Sequence, residues 1–204
     1  MKTDSVQYAV NEIFYSVQGE GVRAGTANIF IRFAGCNLTC SRDGEAGFDC
    51  DTEFTSARKM TAAAILSAVS AFLPCKAIIF TGGEPALQLT ASLCEIFKAE
   101  SYFLAIETNG TYDLSALNLD WITVSPKTAE HTLRQKTASE VKYVRRIGQG
   151  IPRPAVKATF QLISPACQAD GVILPADLAY CIDLVKEFPA WRLSTQQHKL
   201  WKVR

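Results

Sequence analysis

Short apolar runs that are typical of buried strands alternate along this chain with segments of helical periodicity. Seven such runs predict strands at 28–34, 76–80, 102–108, 121–126, 140–144, 156–163 and 191–194. Helices are predicted at about 61–72, 86–99 and 176–188, with Thr61 as the N-cap of the first. Parallel strands are buried on both faces, and runs such as AIIF and FLAI have the continuous apolar character that this requires. The alternation therefore predicts an α/β fold with a mainly parallel sheet.

Composition narrows the class of protein. The 204 residues suit a single domain spanning 1–204, and a hydrophobic fraction of 48% is ordinary for a globular chain. A net charge of +1 disfavours direct nucleic-acid binding. The longest apolar runs are too short to span a bilayer, and the N-terminal residues lack an apolar signal core. We therefore expect a cytoplasmic protein that does not enter a membrane.

The cysteines favour metal or redox chemistry over a disulfide framework. Their number is odd, at seven, and they are unevenly spaced. Cys36, Cys40 and Cys50 follow the first predicted strand, and no histidine lies near them to complete a structural zinc site of four ligands. Three thiolates suit a 4Fe–4S cluster with one iron left open for another ligand. The alternative is that these three cysteines are inert core residues, but the segment SRDGEAGFD between Cys40 and Cys50 is polar, which argues against a core position. Cys94 and Cys181 fit core positions better.

Two features at predicted strand ends indicate ligand binding. The motif TGGEP follows a strand, and Gly82 and Gly83 in it allow a backbone to approach a ligand closely, although a tight turn is the alternative. Glu84 in the same motif is also placed to cap a helix. Arg32 interrupts an apolar strand on the face opposite its apolar neighbours. A buried arginine needs an anionic partner, which is either a structural carboxylate or a ligand.

Taken in order, these motifs resemble the radical S-adenosylmethionine enzymes and, within them, the family of 7-carboxy-7-deazaguanine synthases. The matching segments are NEIFYSVQGEG (11–21), FIRFAGCNL (30–38), CDTEF (50–54), TGGEP (81–85), IETNG (106–110), VSPK (124–127), EVKYV (140–144) and WRLSTQQHK (191–199). The gap between Cys40 and Cys50 is longer than is usual in the superfamily. The alternative is another small radical enzyme, such as a glycyl-radical activase, which would not need the QGEG and QHK motifs together.

The resemblance implies a fold, a reaction and a set of cofactors. The fold is an incomplete TIM-like barrel of mainly parallel strands, the radical SAM core. The reaction is the radical-mediated ring contraction of 6-carboxy-5,6,7,8-tetrahydropterin to 7-carboxy-7-deazaguanine with loss of ammonia, a step toward queuosine or another deazapurine. It uses S-adenosylmethionine, a 4Fe–4S cluster and Mg²⁺. A homodimer and an electron donor of the flavodoxin or ferredoxin type are also implied.

The resemblance also implies roles for individual residues. Cys36, Cys40 and Cys50 on the cluster loop 36–50 ligate the 4Fe–4S cluster, and Thr52 ligates Mg²⁺. The residues expected to bind S-adenosylmethionine are Gly83, Glu107, Asn109, Ser125, Pro126, Lys127, Gln161, Leu162, Ile163 and Ser164. Those expected to bind the pterin are Val17, Gln18, Gly19, Glu20, Arg32, Thr81, His198 and Arg204. A tail at about 195–204 caps the substrate, and Arg204 acts through its main chain and not its side chain.

Overall fold

The computed structural model describes residues 6–41, 43–44, 46, 48, 50, 52–168 and 172–204. The strands are β1 (Gln7–Val17), β2 (Ala27–Phe33), β3 (Arg58–Thr61), β4 (Ala77–Gly82), β5 (Phe103–Thr108), β6 (Trp121–Val124), β7 (Thr137–Arg145), β8 (Lys157–Pro165) and β9 (Trp191–Leu193). The helices are α1 (Ala62–Ser70), α2 (Ala91–Ala99), α3 (Pro175–Glu187) and α4 (Gln197–Trp201). Part of the predicted cluster loop, at 42, 45, 47 and 49, lies outside the described residues.

One sheet contains all of these strands, in the order β3-β1-β2-β4-β5-β6-β7-β8-β9. From β2 through β4 to β9, each strand runs parallel to its neighbour, and these are the seven strands that the sequence predicts. Within the described residues β3 and β9 do not pair, so the sheet is an incomplete barrel. The predicted α/β fold is confirmed.

Side-chain caps set where α1 and α2 begin. Thr61 Oγ1 accepts a hydrogen bond from the Ala64 N–H at 3.2 Å, which confirms it as the N-cap of α1. The predicted helix over 86–99 is wrong at its start, because a 3₁₀ turn at Pro85–Leu87 comes first and Thr90 then caps α2. Among the described residues, no helix is long and apolar enough to span a bilayer.

The strand β1 is absent from the sequence prediction because its alternation is broken. Val10 pairs with Phe33 and Glu12 pairs with Arg32, which leaves Asn11 as a bulge in the antiparallel ladder with β2. A one-residue shift moves all following side chains to the other face. Tyr8 and Val10 therefore lie in the core beneath the helices, whereas Phe14 lies on the opposite face of the sheet.

The two faces of the sheet differ in chemistry. The outer face packs its alternate apolar residues, such as Ile31 and Phe80, against α1 and α2 in the main core. Cys94 and Cys181 are fully buried, as predicted. The inner face carries a small apolar cluster that includes Phe14. Nearer the carboxyl ends of the parallel strands, this inner face carries polar and charged side chains instead.

Candidate active site

Two adjoining cavities open at this end of the inner face. The first has a volume of about 220 Å³ and contains Cys36, Cys40 and Cys50 in its wall; we call it the cysteine cavity. The second, of about 370 Å³, contains Arg32 and His198 in its wall; we call it the arginine cavity. Both cavities are lined by Glu20, Thr52, Thr81, Glu107 and Gln196. Ligands bound in the two cavities would meet at this shared wall.

The three thiols of the cysteine cavity interact electrostatically with one another. Burial raises the pKa of the Cys36 thiol, and the charges of Glu84 and Cys50 raise it further. Burial also raises the pKa of Cys40, while the nearby Lys127 lowers it. Several thiolates in one partly buried site repel each other, so the arrangement favours a cationic ligand such as iron.

The glycines of TGGEP make room for the protein's own main chain. A Cβ on Gly83 would lie 2.6 Å from the carbonyl carbon of Gly35 and 3.0 Å from Cys36 Cβ. Gly82 has a φ of +127° and packs equally closely on Phe33. The tight turn that the sequence left open as an alternative is thus observed, and it brings TGGEP against the segment that carries Cys36.

Glu84 joins this turn to the end of β5. Its buried carboxylate accepts hydrogen bonds from Thr108 Oγ1 at 2.7 Å, the Asn109 N–H at 2.7 Å and the Ala86 N–H at 3.0 Å. It also caps the 3₁₀ turn, as the sequence suggested for a helix start. Burial raises the pKa of this carboxyl, and the three donors act in the opposite direction. Glu84 is therefore a structural link beside the cysteine cavity.

Asn109 extends the same link to the cluster loop. Its side-chain amide donates to Asn37 Oδ1 at 3.0 Å, and Asn37 in turn donates to Thr111 Oγ1 at 2.9 Å. Because Asn37 directly follows Cys36, these bonds position the first predicted cluster ligand before any cofactor is bound.

A carboxylate lies between two guanidinium groups in the arginine cavity. Arg32 Nε is 3.0 Å from Glu12 Oε1, while Arg204 contacts the other oxygen of Glu12. Although close to Glu12, the buried Arg32 Nε makes no hydrogen bond of good geometry. Both guanidinium groups lie over the Phe14 ring, at 5.9 Å for Arg32 and 5.0 Å for Arg204. The main-chain oxygen of Arg204 accepts a hydrogen bond from Ser16 Oγ at 2.6 Å.

The QGEG loop between β1 and β2 enters the inner face and forms part of the shared wall. Gln18 Nε2 donates to Glu107 Oε1 at 2.7 Å, and Thr81 Oγ1 donates to the other oxygen of Glu107 at 3.3 Å. Gly19 is covered by the tail, because a Cβ there would lie 2.6 Å from His198 Cβ. The loop, the sheet and α4 thus meet around one site.

Curated proteins of one family are similar to this chain over nearly its whole length. A 7-carboxy-7-deazaguanine synthase from Bacteroides thetaiotaomicron is 38% identical over 195 residues, covering 96% of this chain and 98% of that protein. One from Burkholderia multivorans is 37% identical over 214 residues, covering 96% and 99%. This chain belongs to the 7-carboxy-7-deazaguanine synthase family.

The fold has a counterpart among solved structures. The crystal structure of QueE from Escherichia coli matches with a TM-score of 0.68 and 22% sequence identity, covering 94% of this chain and 95% of that chain. A likeness at this identity supports the fold. A scan against protein-family models found no match.

In this member of the 7-carboxy-7-deazaguanine synthase family, most residues expected from the resemblance lie at the two cavities. The cysteine cavity is lined by Gly83, Glu107, Asn109, Ser125, Lys127 and Ser164 of the S-adenosylmethionine set. The arginine cavity is lined by Val17, Gln18, Gly19, Glu20, Arg32, Thr81, His198 and Arg204, which is the whole pterin set. Thr52 lines both.

Four predicted residues are not part of either cavity wall, and these are Pro126, Gln161, Leu162 and Ile163. Ile163 packs in the core on the outer face, because side chains alternate along β8 and Ser164 takes the inner face. Any contact of Ile163 with a ligand would therefore use its main chain.

Lys142 is a site residue that the sequence reasoning missed. It lies on β7 in the quoted motif EVKYV, lines the cysteine cavity, and pairs with Glu20 of the shared wall. Burial and the nearby Lys142 charge lower the pKa of Lys127 to about 8. The available signal was the alternation of Glu140 and Lys142 with apolar residues, which places both on one face of a strand. Glu12 was missed because the bulge in β1 hides its face.

Proposed function

We propose that this chain converts 6-carboxy-5,6,7,8-tetrahydropterin into 7-carboxy-7-deazaguanine with loss of ammonia, using S-adenosylmethionine, a 4Fe–4S cluster and Mg²⁺. The observation that carries the proposal is the wall shared by the two cavities. One cavity has the thiols that a cluster needs, and the other has the Arg32 guanidinium for a substrate carboxylate. Family membership identifies the reaction that this arrangement suits.

The residues of the cysteine cavity fit a 4Fe–4S cluster. Cys36, Cys40 and Cys50 share the cavity, although among the residues described no three potential ligands converge on one metal ion. A four-iron cluster does not need such convergence, since each thiolate binds a different iron. When bound, the cluster and S-adenosylmethionine supply the radical chemistry, and the protein supplies placement and exclusion of water.

Several residues would orient the cofactors. Lys127 Nζ donates to Ser125 Oγ at 2.9 Å and faces the Phe48 ring at 4.4 Å, so this cation is held in the cysteine cavity, where the carboxylate end of S-adenosylmethionine is a suitable partner. Thr52 offers a hydroxyl at the shared wall, and Mg²⁺ needs few protein ligands because it keeps waters and accepts substrate oxygens.

The arginine cavity would bind the substrate by its charge and hydrogen-bonding pattern. Arg32 presents a planar fork that suits a carboxylate, and a ligand carboxylate would compete with Glu12 for it. The carboxylates of Glu20 and Glu107 at the shared wall would accept hydrogen bonds from the N–H groups of the pterin ring. A flavodoxin or ferredoxin donor, a homodimer and a cytoplasmic location remain predictions.

Anaerobic reconstitution followed by turnover tests the proposal. The chain is loaded with iron and sulfide and then given S-adenosylmethionine and the carboxytetrahydropterin, with and without Mg²⁺. We expect 5′-deoxyadenosine and 7-carboxy-7-deazaguanine together, with a higher rate when Mg²⁺ is present. Formation of 5′-deoxyadenosine without the deazaguanine would contradict the proposal and favour a glycyl-radical activase.

Single cysteine replacements test the cluster ligands. We expect Cys40→Ala to lose the four-iron absorption spectrum after reconstitution, because Cys40 is one of the three proposed ligands. The long gap to Cys50 is no obstacle to ligation, since it adds only about 1 kcal/mol of loop-closure entropy. Cys75→Ala is the matched control, since Cys75 is partly buried and is not part of the cysteine cavity wall. A Cys40→Ala protein that holds a complete cluster would show that Cys40 is not a ligand.

A further inference from the structure

We propose that Lys142 is a positioning residue that acts through Glu20, by holding its carboxylate at the shared wall as an anionic acceptor for the N–H groups of a nitrogen heterocycle. The inference rests on the proposed function and adds to it a residue that determines how the substrate is held. Lys142 would not need to touch the substrate, because Glu20 lines both cavities whereas Lys142 lines the cysteine cavity alone.

The first observation is a buried ion pair. Lys142 Nζ contacts the Glu20 carboxylate, and the two side chains are only 12% and 16% exposed. Lys142 comes from β7, an interior strand of the sheet, whereas Glu20 comes from the QGEG loop. A buried ion pair holds its partners in place because separating them leaves a charge without compensation in a site of low dielectric constant.

The second observation is the concentration of negative charge around this lysine. Glu107 and Glu140 also interact electrostatically with Lys142, and Arg23 interacts with the same two carboxylates. Their charges hold the pKa of Lys142 above its usual range despite burial. Burial raises the pKa of Glu20, but the charge and hydrogen bond of Lys142, together with a hydrogen bond from Gln196 and the charge of His198, lower it to about 2. At neutral pH, Glu20 is therefore an acceptor, which suits a ligand edge made of N–H donors.

Lys142 is not required to hold the loop itself, since the loop has other anchors. The Gly21 N–H donates to Ser194 Oγ at 2.9 Å, and the Val22 N–H donates to a Glu140 oxygen at 2.9 Å. These bonds hold main-chain atoms, whereas Lys142 contacts the side-chain carboxylate of Glu20. Removing Lys142 should therefore misplace the carboxylate and leave the loop where it is.

The test compares Lys142→Met with Lys142→Arg in the reconstituted enzyme. We expect Lys142→Met to raise KM for the carboxytetrahydropterin by about 10- to 100-fold, the range for losing one charge-assisted hydrogen bond. The change for S-adenosylmethionine should be smaller but not zero, since Lys142 also lines the cysteine cavity. Lys142→Arg keeps a charged donor and should recover most of the loss. The control is Lys186→Met, which makes the same exchange on the surface.

The outcomes separate positioning from general support of the fold. An unchanged KM for the pterin in Lys142→Met would overturn the inference. An equal rise for both substrates would also overturn it, as would the same pterin effect in Lys186→Met.

Unfolding of the protein without cofactors gives an independent measurement. In urea, we expect the double variant Glu20→Gln with Lys142→Met to be more stable than Lys142→Met, because the single variant leaves the Glu20 charge buried alone. A double variant no more stable than Lys142→Met would show that the two residues are not coupled. If the wild type fails to convert the pterin, the proposed function fails, and this cycle still decides whether Lys142 holds Glu20.

Discussion

Replacing Gly83 by alanine should disturb both the stability of the chain and its ability to hold a cluster. The new Cβ would lie 2.6 Å from the carbonyl carbon of Gly35, where an ordinary contact between carbons is about 3.5 Å or more. The shortfall is about 0.9 Å, and it falls on main-chain atoms, which cannot turn aside as a side chain can. The segment forced to move carries Cys36.

The size of the effect follows from this geometry. Overpacking in a well-packed region costs typically about 1–3 kcal/mol, and a clash with the main chain belongs at the upper end of that range. A loss of about 3 kcal/mol corresponds to a fall of about 6–12 °C in the unfolding temperature of a chain of this length. Displacement of Cys36 should also reduce the iron bound per chain after reconstitution.

Thermal unfolding of the protein without cofactors, followed by iron and sulfide analysis after reconstitution, measures both effects. Gly150→Ala is the matched control, because a Cβ at Gly150 meets nothing within 4 Å and its φ is not positive. We expect Gly150→Ala to unfold at or slightly above the wild-type temperature. A Gly83→Ala protein as stable as Gly150→Ala, with a full cluster, would refute the reasoning.

Three further changes test other parts of the site. Glu84→Gln removes one acceptor for Thr108 or the neighbouring main chain, and should lower the free energy of unfolding in urea by about 1–3 kcal/mol. An unchanged free energy would contradict the role of Glu84 as a structural link. Glu20 has a folded-state pKa of about 2 against an ordinary 4.5, so the stability advantage of wild type over Glu20→Gln should be full above pH 4.5 and lost as the pH falls toward 2. An advantage that stayed constant over this interval would contradict the pairing. Arg32→Lys keeps the charge but loses the fork, and should weaken pterin binding by roughly 1.5–3 kcal/mol in calorimetry; wild-type affinity would argue against Arg32 as the carboxylate ligand.

Much of the site could be expected from the sequence because its motifs stand at the carboxyl ends of parallel strands. Arg32 is directly opposite Thr81 in the ladder between β2 and β4, so two motifs far apart in the chain are neighbours in the sheet. Apolar runs identify such strands locally, and adjacent parallel strands bring their carboxyl ends to one edge. Resemblance to a known family then supplied the roles.

The sequence alone therefore determined the seven parallel strands, helix caps such as Thr61, and the cysteine-rich segment. Each of these depends on residues that are close together in the chain. Only the tertiary structure decided which face Glu12 takes, because one bulged residue at Asn11 reverses the alternation of β1. It also decided that Glu20 and Lys142, 122 residues apart, form a buried pair. Such a pairing depends on the complete sheet bringing a loop and a distant strand together, and no local pattern records it.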